Sequence, residues 1–130
     1  MNPQDPIVFI VDDDHRICEA LSTLLSTYDL RAVTFGSAAE YLAYPKPDAP
    51  ACLILDVQMP GMTGVDLQDD LLKRGHHIPI IFITAFPEDR VRDRVLRAGA
   101  VSFLAKPFDG RKMIDCLRAA LQKHTGGADK

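Results

Sequence analysis

Five short apolar runs, at residues 7–11, 32–35, 52–55, 80–83 and 101–104, constrain this chain more than any other feature. Runs of four or five such residues suit strands, and the absence of a polar alternate position suits strands covered on both faces. Between the runs, apolar residues recur at steps of three and four. Ile17, Leu21, Leu24, Leu25 and Tyr28 form one such stripe, Leu67, Leu71 and Leu72 a second, and Val91, Val95 and Ala98 a third. Met113, Leu117, Ala120 and Leu121 form the last. Strand and helix therefore alternate five times. Parallel neighbours need crossover connections, so the pattern predicts an α/β fold: a doubly wound, five-stranded parallel sheet with five helices on its two faces.

Punctuation supports this reading. Ser37-Ala38-Ala39-Glu40 has the form of a capping box, in which the Ser hydroxyl and the Glu carboxylate satisfy backbone donors at a helix start, with Ala38, Tyr41 and Leu42 turned inward. Prolines 45, 47 and 50 end that short helix and imply a stiff loop. The 130 residues suffice for one domain with a real core, expected over residues 1–124. Residues 125–130 carry no periodic apolar pattern and read as a disordered tail or a truncated linker.

A formal net charge of −3 gives no general attraction to phosphate backbones or anionic lipid, so neither nucleic acid nor membrane is an expected partner of this chain alone. The N-terminal residues lack the basic start and apolar core of a signal peptide, and no apolar run approaches the ~20 residues needed to span a bilayer. The expected compartment is the cytoplasm. Cys18, Cys52 and Cys116 are odd in number and widely spaced, which fits buried reduced thiols rather than a disulfide framework.

In a doubly wound sheet, ligands bind beyond the carboxyl ends of the strands. The first strand runs into Asp12-Asp13-Asp14, the third into Asp56, the fourth into Thr84 and the fifth into Lys106. Gathering carboxylates is unfavourable, since two unit charges about 4 Å apart repel by roughly 4 kcal/mol at an effective dielectric near 20. Such a cluster calls for a cation, and a donor set made of oxygens suits magnesium better than zinc or copper. The Lys106 ammonium and Thr84 hydroxyl add groups fit for an anion that arrives and leaves. Taken singly, each of these residues also reads as a solvated loop or helix-start residue; it is their joint placement that points to a site.

At this point the chain resembles the receiver domains of response regulators, the CheY-like phosphoacceptor modules of two-component signalling. The resemblance extends from Pro6 to about Lys123. It rests on Ile10-Val11-Asp12-Asp13-Asp14, on residues 56–64 (DVQMPGMTG), on Ile83-Thr84-Ala85 and on Phe103-Leu104-Ala105-Lys106-Pro107-Phe108. The run Ala98-Gly99-Ala100-Val101 is similar to receivers of the FixJ type, which are usually joined to a DNA-binding domain.

The resemblance implies strand order 2-1-3-4-5 and a nucleophilic Asp56 that accepts a phosphoryl group from a histidine kinase or histidine phosphotransfer protein. It implies magnesium held by Asp12, Asp13, Asp56 and the backbone carbonyl of Gln58. Lys106, Thr84 and the Ala85 backbone would bind the phosphoryl group. Phe103 stands three residues before the lysine, where the family carries its switch aromatic; a permanently buried core Phe is the other reading. Gln58 and Phe86, two residues past Asp56 and Thr84, would tune rates. Met59-Pro60-Gly61 and Gly64 are read as turn residues. Such a domain is a signalling module that catalyses only its own phosphoryl transfer and dephosphorylation.

Other surfaces stay open. The helix with Arg90, Arg92, Arg94 and Arg97 beside Glu88, Asp89 and Asp93 is either an ordinary solvated face or a docking surface. In this family the face made by the fourth helix, fifth strand and fifth helix commonly forms a homodimer on phosphorylation. His15, His76 and His77 read as solvent-facing. Three other functions compete with a transcription regulator's receiver: a stand-alone phosphorelay carrier, an aspartyl-phosphate hydrolase using Asp12 and Asp14, and a pseudo-receiver that binds no metal. Arg16 stands where such hydrolases usually have Thr or Val, and no cap segment is present.

Overall fold

A computed structural model describes residues 5–128, with side chains as far as Gln122; expectations placed on residues 1–4, 129 and 130 lie outside them. Its elements are β1 (Ile7–Val11), α1 (His15–Thr27), β2 (Arg31–Phe35), α2 (Ala38–Ala43), β3 (Ala51–Asp56), α3 (Gly64–Lys73), β4 (Ile80–Thr84), α4 (Asp89–Arg97), β5 (Ser102–Ala105) and α5 (Gly110–Ala128). All strand pairings are parallel, in the order β2-β1-β3-β4-β5. The expected fold and strand order are observed.

Every residue of β1, β3 and β4 is buried, which is why these strands read as continuous apolar runs. The edge strands β2 and β5 are only partly covered and admit Arg31, Thr34 and Ser102. Alternate side chains feed two cores. Phe9, Leu53, Leu55 and Phe82 pack with Tyr41 of α2, Leu67 and Leu71 of α3 and Val95 of α4. Val8, Ile10, Ile54 and Ile81 pack with Leu21 and Leu25 of α1 and with Met113, Leu117 and Leu121 of α5.

Several side chains depart from expectation. Leu72 is 43% exposed, because adjacent helix positions point about 100° apart and the face that buries Leu67, Gln68 and Leu71 leaves Leu72 outside it. Val101 precedes β5 rather than opening it, and its N–H donates to the Ile80 carbonyl. His76 is half-buried and shares a 3.1 Å hydrogen bond with the Tyr41 hydroxyl, a buried polar tip that needs a partner. Cys18 and Cys52 are buried as expected, whereas Cys116 is only half-buried. The helix α5 runs to Ala128.

Candidate functional site

The carboxyl ends of β1, β3, β4 and β5 meet on one rim because their registers align. Leu55 pairs with Val11, Asp56 with Ile83, and Thr84 with Ala105, so residues just beyond the strand ends become neighbours. Backbone bonds continue the sheet past its formal ends. The Asp12 N–H donates to the Phe35 carbonyl, the Val57 N–H to that of Ile83, and the Lys106 N–H to that of Thr84.

Within this frame, carboxylate oxygens of Asp12, Asp13 and Asp56 lie within 4.8 Å of one another. Asp12 and Asp56 are buried, while Asp13 stands on the solvent side. The Lys106 ammonium lies 2.9 Å from Asp12 Oδ2 and 3.4 Å from Asp56 Oδ1. One ammonium stands against two of the three carboxylates, so the cluster is short of positive charge.

Titration follows from this geometry. Burial, and next the charge of Asp12, push the Asp56 carboxyl up to about 7 against the pull of Lys106. Burial works against the Lys106 charge, but its contact with Asp12, then with Asp56, outweighs burial and holds its pKa above the ordinary lysine value. Asp12 Oδ1 accepts the Asp14 N–H at 2.8 Å; its other oxygen is buried and takes no well-aligned hydrogen bond. A buried anionic oxygen met by a single ammonium, beside two more carboxylates, fits a hard divalent cation with oxygen ligands.

The third aspartate of the acidic run has separate work. Asp14 caps α1, accepting the Arg16 N–H at 3.0 Å, and hydrogen bonds from Arg16 hold its pKa below the usual carboxylate value. A carboxylate kept ionised in this way is a poor proton donor, which counts against the hydrolase reading. His15 is exposed, 3.7 Å from Glu19, and stays apart from the carboxylate cluster as expected.

Thr84 is fully buried and doubly engaged. Its hydroxyl donates to Gln58 Oε1 at 2.8 Å and accepts the Phe86 N–H at 3.1 Å. Gln58 and Ala85 are exposed, and Phe86 is 69% exposed. Phe103 pairs in register with Phe82 and lies half-buried against the core that includes α3 and α4, neither locked inside nor free.

Several supporting residues were missed from sequence. Thr63 and Asp66 form a full capping box at the start of α3, legible as Thr-x-x-Asp but not noticed. Cys18 Sγ lies 3.3 Å from the Asp12 carbonyl, and burial raises this thiol to about 11, so it stays protonated as a donor to the acidic loop. Gly64 is needed for close approach rather than for turn geometry: a Cβ there would sit 2.2 Å from the Asp56 carbonyl oxygen. Gly61, at φ +76°, is the true turn glycine of this loop. No sequence signal reveals the Gln58–Thr84 bond, which joins residues 26 positions apart.

Comparison with known proteins identifies the family. Residues 8–118 match the family described as response regulator receiver domain. Nodulation protein W of Bradyrhizobium diazoefficiens is 42% identical over 117 residues, 90% of this chain and 52% of that protein. Transcriptional regulatory protein FixJ of Azorhizobium caulinodans is 34% identical over 119 residues, covering 92% and 56%. The solved structure of response regulator StyR superposes with a TM-score of 0.90 at 38% identity, over 96% of this chain and 63% of that one. The chain thus spans about half the length of the curated relatives it matches. By that family match, these identities and the shared fold, this chain belongs to the response regulator receiver domain family.

Proposed function

We propose that this chain is a phosphorylation switch in which Asp56 takes a phosphoryl group from a phosphohistidine of a histidine kinase or histidine phosphotransfer protein. The observation that carries the reading is the convergence of Asp12, Asp13 and Asp56 within 4.8 Å, with Lys106 against two of them. An Asp56 carboxylate oxygen attacks phosphorus, the oxygen–phosphorus bond forms, and the phosphorus–nitrogen bond breaks with its electron pair returning to the imidazole. Lys106 offsets charge on the phosphoryl oxygens, and the Thr84 hydroxyl and Ala85 N–H donate to them.

Magnesium is the cation whose preference for a few carboxylates plus phosphoryl oxygens matches the set, with Asp12, Asp13, Asp56 and the Gln58 carbonyl as its protein ligands. When bound, it offsets the negative charge that nucleophile and phosphoryl group bring together.

Modification of Asp56 then alters the face made by α4, β5 and α5, where a homodimer or another partner docks. Residues 1–124 constitute the switch, and its likeness to the transcriptional regulatory protein FixJ supports reading it as the receiver half of a transcription regulator. The cytoplasm is the compartment that such a role requires; among the described residues no helix is long and apolar enough to cross a membrane.

Intact mass after incubation with acetyl phosphate and magnesium tests the chemistry, beside Asp56→Asn and beside a chelated sample. One added phosphoryl group, absent in both controls, is expected. A folded wild-type protein that gains none, sampled fast enough to catch a short-lived adduct and with a phosphorylated kinase also supplied, would overturn the proposal.

A further inference from the structure

The Thr84 hydroxyl has one hydrogen, and in this structure it is already committed to Gln58 Oε1 at 2.8 Å. A phosphoryl oxygen on Asp56 would need that same hydrogen, because a hydroxyl donates once however many bonds it accepts. Resting on the phosphoacceptor reading above, we infer that the Gln58 side chain is a positioning residue, a latch that holds Thr84 in its resting orientation and must release it before Thr84 engages the modified Asp56.

Three features make the latch workable. Thr84 is fully buried, so its hydroxyl cannot turn to water as a cheap alternative, whereas Gln58 is exposed and its amide is readily taken up by solvent when the bond breaks. The backbone at Thr84 is pinned by the Lys106 N–H at 2.8 Å, so release proceeds by rotation of the side chain rather than movement of the strand. The hydroxyl also accepts the Phe86 N–H at 3.1 Å, so turning it disturbs the first residues of the loop that leads to α4. Gln58 thereby sets how strongly the resting state of the loop is preferred, without itself touching the phosphoryl group.

The latch differs from direct tuning of the attacking water by Gln58, and a double-mutant cycle separates the two. The readout is the affinity of the full chain for beryllium trifluoride in saturating magnesium, together with the methyl NMR signal of Thr84 in the unliganded protein. Gln58→Met keeps the backbone carbonyl and the approximate volume but removes the acceptor; Gln58→Asn shortens the reach. Each is expected to tighten beryllium trifluoride binding about two- to tenfold, the equivalent of one net hydrogen bond. In a Thr84→Val background the same changes should have no effect, and in Gln58→Met the unliganded Thr84 methyl signal should shift toward its liganded position.

An equal effect of Gln58→Met in both backgrounds would overturn the latch and favour direct contact with the anion. Unchanged affinity and an unchanged Thr84 signal would overturn it as well. Failure of the folded wild type to bind beryllium trifluoride at all would instead sink the phosphoacceptor reading on which the latch rests.

Discussion

Asp56→Asn should stabilise the metal-free protein, and by an amount that depends on pH. Burial and the neighbouring Asp12 raise the Asp56 carboxyl to about 7, far above its ordinary value near 3.8. A carboxyl whose folded-state pKa is raised binds more protons in the native than in the unfolded state between those two values. Its contribution to stability is therefore fully present below about pH 4 and is lost as pH rises toward 7. Between pH 5 and pH 8 the span that matters is about two units, so wild type loses roughly 3 kcal/mol relative to Asp56→Asn. With an unfolding entropy of about 2.1 cal/mol/K per residue, that is a melting-temperature gap of roughly 10 °C for a chain of this size. Thermal melts by circular dichroism in chelator, on both proteins at both pH values, measure it. The gap in favour of Asn should be wider at pH 8 than at pH 5 by about that amount. A gap equal at both pH values, or one favouring wild type at pH 8, would refute the argument that ionised Asp56 is held under strain.

Magnesium should reverse that penalty, raising wild-type stability at pH 8 by about 2.7 kcal/mol at a hundredfold excess over its Kd. Asp13→Ala, at an exposed position, should abolish the magnesium shift while moving metal-free stability by no more than about 0.5 kcal/mol. Gly64→Ala places a Cβ 2.2 Å from the Asp56 carbonyl oxygen and should cost about 1–3 kcal/mol in urea titrations, with weakened magnesium binding because Asp56 must shift. Leu53→Ala, deep in the sheet, should cost roughly 2–5 kcal/mol, whereas Leu72→Ala should stay within about 0.5 kcal/mol; comparable losses would mean that α3 buries the other face.

The order of burial explains which parts of this molecule could be read from its residues. Strands β1, β3 and β4 are covered on both sides, so their apolar runs mark them to within a residue. The edge strand β2 opens on Arg31, outside its apolar run, because partial exposure relaxes the demand for apolar side chains there, and β5 begins at Ser102, one residue after its run. Helix faces are legible in stripe but not in width, which is why Leu72, grouped with Leu67 and Leu71 in the sequence, lies outward.

The site divides along similar lines. Asp12, Asp13, Asp56 and Lys106 were recoverable because parallel topology forces strand ends onto one rim, whatever the details of packing. Contacts set by side-chain reach across that rim were not: the Gln58–Thr84 bond and the Tyr41–His76 bond each join distant segments and leave no periodic trace. Gly64 belongs to the same class, since its need for a missing Cβ arises only when α3 is laid against the end of β3. What the topology requires is thus written into local patterns, and what adjusts the switch is written into pairs. A resemblance transfers the first kind of information safely, while residues of the second kind, Gln58 foremost, have to be taken from the geometry of this chain.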